Sequence, residues 1–162
     1  MLKLDKFFKW INKMYGSYGE VKATRGHVHD YLGMIFDFTK KGKLSVDMCA
    51  YIHAIVDEFP VKLEPYETAP TPAPDDLFAI GDSNPLDHER AEVFHTFVAK
   101  PLFACKRHCP DIHPTVVVLC TRVKSPNEDD WRKLVHLMRY LNGTWDAKLV
   151  LSADDLHVIK WY

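Results

Sequence analysis

Apolar positions spaced by three and four residues recur along most of the chain, broken once by a proline-rich stretch and early on by strand-like runs. Leu4, Phe7, Phe8, Ile11 and Met14 predict an amphipathic helix over residues 3–15, ended by Gly16 and Gly19. Residues 20–24 and 28–39 read as strands. Thr39-Lys40-Lys41-Gly42 is then a turn into a strand over 43–46, the signature of a hairpin. Asp47 is placed to cap a helix whose stripe is Tyr51, Ile52, Ile55, Val56 and Phe59, with Pro60 as its stop. Residues 60–86 hold most of the ten prolines, including Thr68-Ala69-Pro70-Thr71-Pro72-Ala73-Pro74, and should run extended between two lobes.

Beyond that stretch the helical spacing returns. A helix from Asp87 onward aligns Phe94, Phe97, Val98, Pro101, Leu102 and Cys105, with a kink expected at Pro101. Pro110 opens a segment through Val123, its apolar residues being Ile112, Val116, Val117, Leu119, Cys120 and Val123. Ser125-Pro126-Asn127-Glu128 reads as a capping box with Ser125 as cap. The helix it starts directs Trp131, Leu134, Val135, Met138 and Leu141 inward and meets Gly143 at its end. Residues 148–152 and 157–162 read as two strands. The predicted fold class is α+β: an N-terminal helix, a β-hairpin and a further helix, a Pro-rich linker, then a mainly helical lobe ending in two strands.

Composition narrows the class without naming a chemistry. The 162 residues are 47% hydrophobic and 27% charged, with 4 Trp, 9 Phe and 7 Tyr, enough to build a core. No apolar run approaches the roughly 18 residues of a membrane span, and the first residues do not resemble a secretory signal. Four irregularly placed cysteines (Cys49, Cys105, Cys109, Cys120) fit a reducing compartment better than a disulfide framework. The net charge of −1 conceals a pattern. Residues 1–62 carry 10 Lys/Arg against 7 Asp/Glu, residues 63–90 carry 1 against 7, and residues 91–162 carry 10 against 8. A solvated acidic connector explains this pattern, and so would two basic lobes facing a polyanion.

Catalytic constellations are thin. The acid pairs Asp75-Asp76, Asp129-Asp130 and Asp154-Asp155 fall in the Pro-rich segment, a helix first turn and an expected hairpin turn. None has the strand-turn-strand setting in which carboxylates hold two metal ions. Cys105, Cys109 and His113, with His108 beside them, have zinc-like chemistry but lack the CxxC spacing, and Pro110 and Pro114 interrupt their alignment. His27 and His29 could share a strand face, a weak signal. No nucleophile elbow, P-loop or dinucleotide fingerprint occurs. Lys3, Lys6, Lys9 and Lys13 form a ladder along the first helix, a solvated face that could also touch phosphate.

His29-Asp30-Tyr31-Leu32-Gly33-Met34, then Phe36-Asp37-Phe38, a turn, and Leu44-Ser45-Val46-Asp47-Met48 before a helix, together resemble the Ty1/copia-type retrotransposon polyprotein just after its reverse transcriptase active site. In the second half, Phe94-His95-Thr96-Phe97-Val98-Ala99-Lys100, Pro110-Asp111-Ile112, Leu119-Cys120-Thr121-Arg122-Val123, Asp130-Trp131 and Arg139-Tyr140-Leu141-Asn142-Gly143-Thr144 are similar to the stretch leading into that family's RNase H domain. Val158-Ile159-Lys160-Trp161-Tyr162 is similar to the first RNase H strand.

The resemblance implies a primer grip at Tyr31, Leu32, Gly33 and Met34, a hairpin that holds the primer 3′ end. It implies the end of the palm with a thumb-like helix over residues 1–62, a linker over 63–90, a connection-like lobe over 91–150 and the start of RNase H over 151–162. It further implies a segment lacking both catalytic centres, since no Tyr-x-Asp-Asp motif occurs here. Mg2+ would belong to the full-length enzyme and not to this segment. The implied partners are an RNA/DNA template–primer duplex and the rest of the polyprotein, with no membrane and no small-molecule substrate. The implied setting is intracellular, a cytoplasmic particle or the nucleus. The alternative is a non-catalytic nucleic-acid-binding or protein-interaction module. Two departures from the family pattern are Pro101, where an aliphatic residue is usual, and Cys109, where an arginine is usual.

Overall fold

A computed structural model describes residues 2–152 as an α+β chain. Helix α1 (Leu2–Tyr15) leads into an antiparallel meander of β1 (Val28–Tyr31), β2 (Met34–Asp37) and β3 (Lys43–Asp47). Then follow α2 (Cys49–Asp57), α3 (His88–Cys105), a 3-10 turn (Pro110–Ile112), α4 (His113–Arg122) and α5 (Glu128–Thr144). Strand β4 (Leu149–Ser152) returns to pair with β3, so the sheet order is β1-β2-β3-β4.

The larger core is helical. Ile52 and Ile55 of α2, Phe94, Phe97 and Val98 of α3, Val116 and Leu119 of α4, and Leu134, Leu137, Met138 and Leu141 of α5 form one buried cluster. Phe59 sits among them, edge-on to Phe97 at 5.0 Å and stacked on Trp131 at 5.8 Å. Helix α2 before the Pro-rich segment and helices α3–α5 after it therefore share a single core. A smaller cluster of Met34, Val46 and Met48 lies under the sheet. Tyr51 packs against both clusters, its hydroxyl donating to the Lys100 carbonyl at 3.2 Å. Among the described side chains of α1, none belongs to either cluster. The helix is tied by the Val21 N–H, which donates to Asn12 Oδ1 at 2.8 Å, and by an Arg25–Asp5 ion pair.

Several expectations need correction. Residues 20–24 form no strand; they run back past α1, exposed except at Val21, and β-forming residues without a partner surface gain little from being extended. The 28–39 run is two strands folded on each other at Leu32 and Gly33. Met48, not Asp47, is the N-cap position of α2, although Asp47 Oδ1 still accepts the Cys49 N–H at 2.9 Å. The α5 cap is Asn127 in place of Ser125: its side chain accepts from Asp130 N–H while the Asp130 carboxylate accepts from Asn127 N–H, a box shifted by two residues. Pro101 lies inside helix α3, which runs on to Cys105, and is buried. Val117 faces out, whereas Leu137, absent from the predicted stripe, is fully buried. Gly143 does not end α5 but lies within it, where an added Cβ would come within 3.0 Å of Thr68. The strand expected over 157–162, Asp154-Asp155 and all of the RNase H-like start of 151–162 beyond Leu151 and Ser152, which belong to β4, lie outside the described residues.

The Pro-rich segment has no helix or strand between Pro60 and Pro85 but is not simply extended. It is folded by turns, with Glu67 N–H donating to Glu64 O, Leu77 N–H to Pro74 O and Ala79 N–H to Asp76 O, and it is bound along α5. Its carbonyls accept from α5 side chains: Ala79 from Lys133 Nζ, Thr71 from His136, and Glu64 and Glu67 from Asn142. At the helix start, Asn84 O and Ser83 Oγ accept the first-turn N–H groups of Glu128 and Asp129, donors that a helix cannot satisfy internally.

Candidate nucleic-acid interface

The hairpin β1–β2 turns through Leu32 and Gly33, with φ of 52° and 75°. Two-residue turns with both central residues at positive φ match the right-handed twist of the flanking strands. Glycine adopts this at no steric penalty, whereas leucine there costs about 1–2 kcal/mol. Nothing lies within 4 Å of where a Gly33 Cβ would sit, so conformation and not crowding selects glycine.

The four residues Tyr31, Leu32, Gly33 and Met34 then divide by role. Tyr31 pairs with Met34 across the hairpin and shares its face. Met34 is buried against Val46 and Met48 and anchors the hairpin. Tyr31 and Leu32 are 61% and 62% exposed at the tip. Asp30 pairs with Ile35 and belongs to the opposite face. His29 Nε2 lies 3.0 Å from the Gly26 carbonyl, and its ring meets Phe38 edge-on at 6.3 Å. His27 is not in the strand, so the two histidines share no strand face.

The sheet also holds two carboxylates, Asp37 at its β2–β3 turn end and Asp47 opposite Ile35 at the hairpin-tip end. Asp37 Oδ1 accepts the Thr39 N–H at 2.8 Å, which holds the carboxyl below its ordinary range. Asp47 accepts from Lys148 Nζ at 2.7 Å as well as from Cys49, and the hydrogen-bonded ammonium brings its pKa down to about 2. Because that value lies below the ordinary 3.8, the unfolded chain binds the extra proton first. The stabilisation from Asp47 should be complete above about pH 4 and fade as pH falls toward 2. Urea unfolding of wild type and Asp47→Asn between these limits should give curves that converge at the acid end. A constant gap would show that Asp47 does not titrate this way.

Beneath the sheet, His108 is buried in the α3–α4 connection, and its Nδ1–H donates to the Val46 carbonyl at 3.1 Å. A carbonyl can only accept, so the hydrogen resides on Nδ1. Sequence reasoning missed this contact, which pins the helical half to the middle strand; a buried histidine next to a loop proline carries no signal of it. The zinc-like set is put to other uses. The Cys105 thiol donates to Leu102 O, and burial pushes the Cys109 thiol up to about 12.

Three of the four described paired acids are engaged by basic side chains. Asp76 and Asp129 both pair with Arg132, Asp129 also pairs with Lys133 at 2.7 Å, and Asp130 is bound by Arg122 and the Asn127 N–H. Among the described residues no group of three or more His, Cys, Asp and Glu could hold a metal ion. Likewise no described helix is long and apolar enough to cross a membrane.

In comparisons with known proteins, no family model, curated protein or solved structure matches this chain.

Proposed function

We propose that this chain is the part of a Ty1/copia-type reverse transcriptase that follows the polymerase centre, and that its β1–β2 hairpin touches a template–primer duplex. The observation carrying this reading is the division of Tyr31-Leu32-Gly33-Met34 into a buried anchor, a positive-φ turn and two exposed side chains at the tip. An exposed aromatic beside an apolar residue on a rigid turn suits contact with a sugar or an end base pair. The reading also draws on the order of motifs shared with the family over most of the chain. Without a Tyr-x-Asp-Asp motif, the chain is expected to position nucleic acid and not to polymerise it, in an intracellular setting.

Titration of a fluorescent RNA–DNA hybrid at low salt tests this. Tyr31→Ala should weaken binding by about tenfold, within the 1–3 kcal/mol of an aromatic–base contact. Absence of affinity at low salt, or affinity indifferent to salt, would sink the reading. Primer extension by the chain with Mg2+ or Mn2+ would equally overturn it.

One observation favours a second reading, a protein-interaction module. Helix α1 leaves Leu4, Phe7, Trp10 and Met14 about half exposed along one side. Sedimentation that shows association lost in Phe7→Glu would support that reading. A monomer at all concentrations would remove it.

A further inference from the structure

Some cations of the described chain meet a carboxylate, whereas others, among them Lys3, Lys6, Lys9 and Lys13 of α1 and Lys106 and Lys124, have none among the described residues. Arg90, Lys100, Arg122, Arg132, Lys133 and Arg139, all on helices α3 to α5, each have a carboxylate partner. In the β2–β3 turn, Lys40, Lys41 and Lys43 have no carboxylate partner among the described residues and are exposed. The Lys43 N–H donates to the Lys40 carbonyl at 3.0 Å, so the turn is closed and gathers three ammonium groups within four residues.

Lys40 and Lys43 border a cleft of about 380 Å3 lined also by Asp37, Thr39, Ser45, Lys148 and Val150. Asp37, whose Oδ1 accepts the Thr39 N–H, is the one carboxylate of that lining and stays charged there, and Lys148 is paired with Asp47. Lys40 and Lys43, beside the hydroxyls of Thr39 and Ser45, remain to meet an anion. Ammonium and hydroxyl donors on one open face suit a phosphodiester, which offers two charged oxygens without requiring a deep pocket.

We propose that the Lys40–Lys43 turn is a phosphodiester-binding site, a second anchor for the duplex held at the Tyr31–Leu32 tip. It rests on the duplex-binding reading above. The spacing is compatible with one duplex. The tip and the turn lie at opposite ends of β2, and seven residue steps at about 3.3 Å each bound their separation at roughly 23 Å. A duplex presents a phosphate about every 1.7 Å of its axis, so one gripped at the tip has phosphates within reach of the turn.

The experiment compares the hybrid affinity of wild type, Tyr31→Ala and the triple variant Lys40→Ala/Lys41→Ala/Lys43→Ala between about 50 and 200 mM salt. The triple variant should lower the slope of log affinity against log salt by about 2 to 3. Tyr31→Ala should lower the affinity and leave the slope unchanged. A triple Lys→Arg variant should keep the wild-type slope, which separates charge from any change in the turn. Hybrid binding that depends on Tyr31 but has the same slope in the triple Ala variant overturns the site alone. No hybrid binding by wild type overturns both the site and the reading beneath it. Displacement of the hybrid by inorganic phosphate at matched ionic strength would assign the turn to the free anion and overturn the duplex anchor.

Discussion

Replacing Phe94 by alanine should remove about 3–5 kcal/mol of folding stability. Phe94 is fully buried in the cluster that α3 shares with side chains of α2, α4 and α5. Domains of this size have on the order of 5–15 kcal/mol in total, so the variant should sit near the edge of folding at room temperature. The form of the transition is as informative as its midpoint. Ile52 and Ile55 of α2 lie in the same cluster as Phe94, although about thirty residues of Pro-rich chain separate the helices. Loss of helix by circular dichroism and loss of tryptophan fluorescence, for which half-buried Trp131 on Phe59 is a reporter, should therefore coincide. Two separated transitions in urea would show that the halves on either side of that segment fold independently.

The helices were largely legible because each carries its own evidence. The aspartate at the start of α3 accepts the Arg90 N–H from its cap position, and the stripes of α2 and α3 are the faces that are buried. The choice of cap for α5 was harder. Ser125 with Glu128 and Asn127 with Asp130 are both well-formed boxes two residues apart, and local spacing does not choose between them. Tertiary contacts decide it: the Pro126 carbonyl accepts the Leu86 N–H and Asn127 Nδ2 donates to the Gly81 carbonyl, which holds both residues in extended chain outside the helix. The course of residues 60–86 was illegible for a related reason. Its acceptors are backbone carbonyls, which every residue has, so nothing in its side chains announces that it will bind α5. The reversal at Leu32 was hidden as well, since alternation reads the same through a two-residue turn as along a continuous strand. The candidate tip was therefore located through a resemblance of motif and not through periodicity. The lysine turn was visible as a hairpin, but its lack of carboxylate partners needed the fold.

Asp130→Ala should have the next largest effect, about 2–3 kcal/mol, because one buried carboxylate closes two structures at once. Its oxygens accept the Asn127 N–H at 3.0 Å and the Arg122 Nε–H at 3.1 Å, with its side chain only 6% exposed. Removal opens the capping box, worth about 1 kcal/mol, and strands a buried N–H, worth another 1–3. It also leaves Arg122 without its carboxylate. Losing one partner of a fully buried pair costs about 3–5 kcal/mol, but Arg122 is 27% exposed and can regain water, which keeps the total below that range. Asp130→Asn retains an acceptor for the Asn127 N–H and should cost less than the alanine variant. In a double-mutant cycle with Arg122→Ala, the coupling should therefore be smaller than the full Asp130→Ala effect. The local consequence follows from the Pro-rich segment. Asn127 and Pro126 are where Gly81 and Leu86 attach, so Asp130→Ala should speed amide exchange at Leu86 and Glu128 more than at Leu137. Equal acceleration at all three amides would mean that the cap and the segment do not act as one unit. Stability within about 0.5 kcal/mol of wild type would place Asp130 among ordinary surface positions, against its burial.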